Sequence, residues 1–256
     1  MARLSAPRRH YLGAALLGLV LTTLGPCGCA YHHYVGPLQP AADQGHSVTA
    51  ENEGLTFRSQ GLEIHLRPML DAELDRRFAA HSQSGPRSTN PYTFADVEFW
   101  PPGPSTSRFT VVYIEVANEG YPKIKIDPAK MALRANTGEE YWSLSLQQLD
   151  TYYRAYTEGF QGDAFSRYRE RMDLLNRTTF RNEEIFMGQQ KSGYVIFPAL
   201  SHNVQRLSLS LHDVVLRFDY RSEPAETVDV VYQFERQTGR IYDNGRVILE
   251  ELPPPR

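Results

Sequence analysis

From Leu55 onward the chain alternates apolar and polar residues with a period of two. Leu62, Ile64 and Leu66 enclose Glu63 and His65, Val112, Ile114 and Val116 enclose Tyr113 and Glu115, and Ile124 and Ile126 bracket Lys125. The pattern returns in Leu207, Leu209 and Leu211, in Val214, Leu216, Phe218 and Tyr220, and in Val228, Val230, Tyr232 and Phe234. Such alternation gives each strand one apolar face, as a half-buried antiparallel sheet requires. Asn118-Glu119-Gly120, Asn136-Thr137-Gly138, Ser222-Glu223-Pro224 and Asp243-Asn244-Gly245 supply turns between runs, and the last fits a tight hairpin. Two facing sheets bury this many one-sided strands economically, so the expected fold is a mainly β, antiparallel sandwich.

Two segments carry a helical period instead. Pro68 to Ala80 places Met69, Leu70, Leu74 and Phe78 at helical spacing behind a proline, which predicts one short helix. From Leu146 to Phe180, Leu146, Leu149, Tyr153 and Tyr156 form one stripe, while Phe165, Tyr168, Met172 and Leu175 form another. Gly159 to Gly162 separates the stripes, so the prediction is a helical hairpin inserted between strands at 146–180.

The front of the chain follows neither pattern. Arg3, Arg8 and Arg9 precede an uncharged run of 14 residues from Tyr11 to Leu24, followed by Gly25-Pro26-Cys27-Gly28-Cys29. The run is too short to span a bilayer, which takes about 20 apolar residues, but fits the core of a secretory signal. An apolar run, a small residue and a cysteine resemble the lipobox of bacterial lipoproteins, whose cysteine is acylated and becomes the mature N-terminus. Cys29 follows Gly28 and is the preferred attachment site. Cys27 is the alternative, with Leu24 well placed but Pro26 directly before the cut. The resemblance implies a membrane partner reached through a lipid anchor, with outer-membrane delivery because Ala30 follows the cysteine. Loss of residues 1–28 removes three arginines and no acid, shifting the formal charge from −3 to −6. Residues 29–54 show no period and are expected to act as a flexible tether, with His32-His33 a polar linker pair. The expected organisation is then signal 1–28, tether 29–54, sandwich 55–238 and a C-terminal hairpin with a Pro-rich tail at 239–256.

A further resemblance covers about 110 residues. A strand ending in Asn-x-Gly (Phe109 to Gly120) is followed by Ile124-Lys-Ile-Asp-Pro128 and by a strand and glycine turn from Met131 to Gly138. Glu140-Tyr141 comes next and, beyond the insertion, Gly188-Gln-Gln-Lys-Ser-Gly193 followed by Tyr194-Val-Ile-Phe197-Pro198. This order resembles a family of small bacterial envelope domains with an immunoglobulin-like sandwich, often borne on lipoproteins and without an assigned activity. Its motif is structural: Gly188 and Gly193 suit a turn and a close backbone approach, with Val195 and Phe197 on one side of a strand.

Chemistry-bearing constellations are scarce. The eight histidines form no metal-ligand spacing with a carboxylate, no Gly-x-Ser-x-Gly elbow occurs, and the glycine-rich 188–193 leads into a strand rather than a helix. No cofactor and no metal are expected, and the acidic balance argues against a nucleic-acid partner. The chain is expected to be non-catalytic. Of its 15 Tyr, 12 Phe and 2 Trp, seven (Trp142, Tyr152, Tyr153, Tyr156, Phe160, Phe165 and Tyr168) nonetheless fall within 27 residues in and around the insertion. Trp142, Tyr152, Tyr153, Tyr156 and Tyr168, interleaved with Arg154 and other arginines, are the candidate contact residues for an envelope protein partner, or alternatively for a small ligand or cell-wall glycan. The competing reading is that half or more of these rings simply cover the sandwich.

Overall fold

The computed structural model describes residues 31–83, 87–95, 107–158 and 164–254. The expected signal segment, both candidate acylated cysteines (Cys27 and Cys29) and the Gly159–Gly162 break lie outside the described residues. In chain order, β1 (Tyr31–Val35), β2 (Gln39–Pro40), β3 (Val48–Glu51), β4 (Gly54–Ser59) and β5 (Leu62–Pro68) precede helix α1 (Asp71–Arg77). Strands β6 (Phe109–Asn118), β7 (Lys123–Lys125), β8 (Met131–Ala135) and β9 (Glu140–Trp142) lead to α2 (Leu146–Glu158) and α3 (Ala164–Thr178). Then follow β10 (Glu184–Phe186), β11 (Gln189–Pro198), β12 (Arg206–Phe218), β13 (Pro224–Glu235), β14 (Thr238–Tyr242) and β15 (Val247–Leu249).

The fold is mainly β, and the strands form three antiparallel sheets. One has the order β11-β6-β5-β4-β3, and a second the order β10-β7-β12-β13-β2 with β8 and β9 joined beside β12. A small third sheet runs β1-β14-β15. The inward faces of the two larger sheets share one core: Leu62, Ile64, Leu66, Val112, Ile114 and Val116 meet Leu207, Leu209, Leu211, Val230, Tyr232 and Phe234. The Tyr232 hydroxyl donates to the Ile64 carbonyl at 3.0 Å, satisfying the one polar atom its ring brings between the sheets. Two sheets packed over a common core are consistent with a β-sandwich.

Strands β6 and β11 are apolar on both faces, which the period-two pattern alone did not convey. Phe109, Val111, Tyr194 and Ile196 point away from the shared core into a second cluster with Met69, Leu74, Leu149, Tyr153, Tyr168 and Leu175. Helices α1, α2 and α3 supply most of the latter residues, so the helical segment forms a packed layer on the outer face of the β11-β6-β5 sheet. Helix α2 begins with a reciprocal cap: Ser145 Oγ accepts from the Gln148 amide at 3.2 Å, and Gln148 Oε1 accepts from the Ser145 amide at 2.8 Å.

Two expectations are corrected. The short helix starts at Asp71, not Pro68, because the Met69 amide still donates to the Val111 carbonyl at 2.9 Å and prolongs the β5–β6 pairing past the proline. The described part of the expected tether is built into sheets. Tyr31–Val35 pairs with Thr238–Tyr242 over five residue pairs, Gln39–Pro40 pairs with β13, and Val48–Glu51 pairs with β4. These edge strands are 5, 2 and 4 residues long and hold a single buried side chain, Val48, so no apolar period builds up along them. Among the described residues no helix is long and apolar enough to cross a membrane.

Candidate functional site

A cleft of about 680 Å³ opens where the small sheet meets the helical layer. One wall is β1 and the turn after it, contributing Tyr31, His33, Val35 and Leu38. The opposite wall is the β5–α1 junction, with Met69, Leu70 and Asp71. Phe109 and Val111 of β6 line it, and the β11–β12 connection adds Ala199, Leu200 and His202. The walls are thus largely apolar with a few polar groups converging on them, the usual make-up of a small-molecule site.

The polar groups are held by specific partners. Arg236 donates through Nε to the Val204 carbonyl at 2.7 Å and through Nη2 to the Ser201 carbonyl at 2.6 Å, pinning the connection that carries Leu200 and His202. Burial lowers its pKa. The His33 ring stacks on the His202 ring with centroids 3.7 Å apart and planes at 28°. His33 therefore links β1 to the β11–β12 connection across the cleft, correcting the linker reading of His32-His33. Asp71 occupies the first turn of α1, where a helix end favours a negative charge, yet burial pushes its carboxyl up to about 6. A hydrogen bond from Ser107 opposes that rise, and the neighbouring Asp75 adds to it. Among the described residues no three His, Cys, Asp or Glu side chains gather as metal ligands.

The aromatic residues singled out in the sequence are dispersed. Tyr153 is fully buried, and its hydroxyl donates to the Pro91 carbonyl at 2.5 Å. Tyr168 is buried as well, its hydroxyl donating to Asp150. Neither ring is available as a contact residue, because each spends its apolar faces inside the helical layer. Tyr152 stays 38% exposed beside Phe109, and its ring stacks with Tyr156 at 6.4 Å. Arg154 lies over Tyr168 and donates to Asp150 at 2.7 Å. Trp142, 49% exposed, sits on β9 beside His212 of β12 and so belongs to the other large sheet.

Sequence reasoning missed three groups. Asp71 was hidden inside an ordinary amphipathic segment, and His202 had no histidine near it in sequence. The third is a pair of buried guanidinium groups, Arg108 and Arg171, which flank the Tyr153 and Tyr156 rings. The Arg-aromatic interleaving of the insertion was the available signal for Arg171, but it reads equally well as an exposed surface.

No protein-family model matches the chain, and no curated protein does. Among solved structures it is similar to the yjhA protein of Bacillus subtilis, at 10% identity over 69% of this chain and 93% of that one, with a TM-score of 0.35. A likeness at that level carries no argument about function.

Proposed function

We propose that the chain is a non-catalytic, lipid-anchored protein of the bacterial outer membrane, its body in the periplasm, whose immunoglobulin-like sandwich serves as a binding module. The ligand class that fits the cleft is a small amphiphile. The observation that carries this reading is the 680 Å³ cleft itself, apolar along Leu38, Met69, Leu70 and Leu200 and carrying Asp71 in its wall.

The test is saturable binding of a neutral apolar fluorescent dye to the full chain, lost in Ala199→Trp. Residue 199 is exposed and lines the cleft, so the indole fills the site without entering the core. Dye binding unchanged by that substitution overturns the assignment. The anchor is tested by acyl labelling, which Cys29→Ser removes. Labelling that survives there but not in Cys27→Ser moves the attachment to Cys27.

A second reading, an envelope protein partner on the outer face of α2 and α3, is favoured by Tyr152 and Phe165, which remain 38% and 60% exposed, the latter with the Arg169 guanidinium over its ring. Tyr152→Ala and Phe165→Ala together then abolish capture of that partner while dye binding persists.

A further inference from the structure

Among the described residues, the C-terminal hairpin ends in an open edge. Strand β15 pairs with β14 and lies at the margin of the small sheet. Its three residues, Val247, Ile248 and Leu249, are 48%, 39% and 54% exposed, an unbroken apolar run of the kind that proteins normally blunt on a free edge. The ladder fixes which backbone groups are free. Tyr242 donates to the Arg246 carbonyl at 3.0 Å, and Glu250 donates to the Thr238 carbonyl at 2.8 Å. Arg246, Ile248 and Glu250 therefore turn their backbone groups toward β14, and alternation directs those of Val247 and Leu249 at the outer edge.

We propose that this edge pairs with the same edge of a second copy of the chain, antiparallel and centred on Ile248. Val247 then lies opposite Leu249 of the other copy, with the outward N–H and C=O groups of both in hydrogen-bonding position. Ile248 faces its own symmetry mate across the two-fold axis, as an isologous contact demands. Arg246 falls opposite Glu250, and the axis makes that pair twice. Slipping the register by two residues in either direction keeps backbone bonds available but sets Arg246 or Glu250 against apolar or uncharged residues. The two flanking charges thus select the centred register, and they favour a copy of this chain over an unrelated strand. Arg246, Ile248 and Glu250 share one face of the strand at non-hydrogen-bonded positions, where opposing side chains approach most closely.

The full chain should sediment with a concentration-dependent shift from monomer to dimer. Arg246→Glu and Glu250→Arg should each weaken self-association by about tenfold, since two attractive pairs become repulsive, and the double reversal should restore it. In a Cys27→Ser, Cys29→Ser background, Ile248→Cys should form a disulfide-linked dimer on mild oxidation while Val247→Cys should not. All four positions are exposed, so thermal midpoints close to wild type certify that each variant is folded. A wild-type chain that stays monomeric at every concentration overturns the proposal. So does a double reversal as weak as the single ones, or cross-linking of Val247→Cys as efficient as that of Ile248→Cys.

Discussion

Arg108 donates through Nη1 to the Tyr153 hydroxyl at 3.2 Å, and the same hydroxyl donates onward to the Pro91 carbonyl at 2.5 Å. A fully buried ring is thereby tied to a loop and to a cation at once. Arg171 approaches the same ring at 5.5 Å and anchors itself through Nη2 on the Ser88 carbonyl at 2.5 Å. Burial lowers the Arg171 pKa, and the nearby Arg108 charge works in the same direction.

This arrangement separates two neighbouring tyrosines. Tyr153→Phe should cost about 1–2 kcal/mol by stranding the Pro91 carbonyl, and Tyr153→Ala about 3–5 kcal/mol by opening a cavity as well. Tyr152→Ala, at a partly exposed position, should cost about 1 kcal/mol or less. Denaturant midpoints at constant slope are the measurement, and equal losses at 152 and 153 would contradict the packed-layer account.

The Asp71 carboxyl sets a pH dependence. Its folded pKa of about 6 lies above the ordinary value of 3.8, so between those values the folded state holds a proton that the unfolded state has released. Stability therefore falls as pH rises through that window and levels off above it, by an amount on the order of 3 kcal/mol. Asp71→Asn should flatten this slope and be more stable than wild type at pH 7. Stability curves from pH 4 to 7 that run parallel for the wild-type chain and for Asp71→Asn would remove this carboxyl as the source.

Ionisation of the same group should also govern the cleft. Above pH 6 the wall is negative, so a cationic amphiphilic dye should bind more tightly there than at pH 5, whereas a neutral dye should bind with the opposite preference. Titrations of both dyes at the two pH values, repeated on Asp71→Asn, read this directly. Loss of the pH effect in the variant is the expected result.

Two glycines should behave differently despite lying five residues apart. Gly188 has φ +78° and open space where a Cβ would go, whereas a Cβ on Gly193 would sit 2.5 Å from the Phe180 nitrogen. The chain leaving α3 crosses β11 at that point, with the Phe180 amide donating to the Tyr194 carbonyl at 3.0 Å. Gly188→Ala should cost about 1 kcal/mol from backbone strain, and Gly193→Ala about 3 kcal/mol because backbone must move. Chemical unfolding of the two variants ranks them, and the reverse order would contradict the crossing.

These two positions also show what the sequence disclosed. The turn at Gly188 and the close approach at Gly193 were legible as such, as were Val195 and Phe197 on one face, the Asn118 turn and the two helices of the insertion. Each depends on a local rule with a period or a turn residue behind it. The first strands, at 31–51, were not legible, because they are short and leave most of their side chains at least partly exposed, which carries little apolar signal. The role of Tyr153 and Tyr168 was not legible either. A helix stripe of tyrosines has the same composition whether it faces solvent or a sheet, and only the second apolar face of β6 and β11 decides the matter. The cleft draws Asp71, His33 and His202 from segments far apart in the chain, a convergence that no short window contains.

The pairing of Tyr31–Val35 with Thr238–Tyr242 has a mechanical corollary. A pull applied to the chain ahead of residue 31 loads that five-pair ladder before it reaches the core, and the same strand is a wall of the cleft. Tension delivered from the front of the molecule therefore bears on a strand that walls the cleft, and a ligand gripping β1 there would raise the force needed to peel it away.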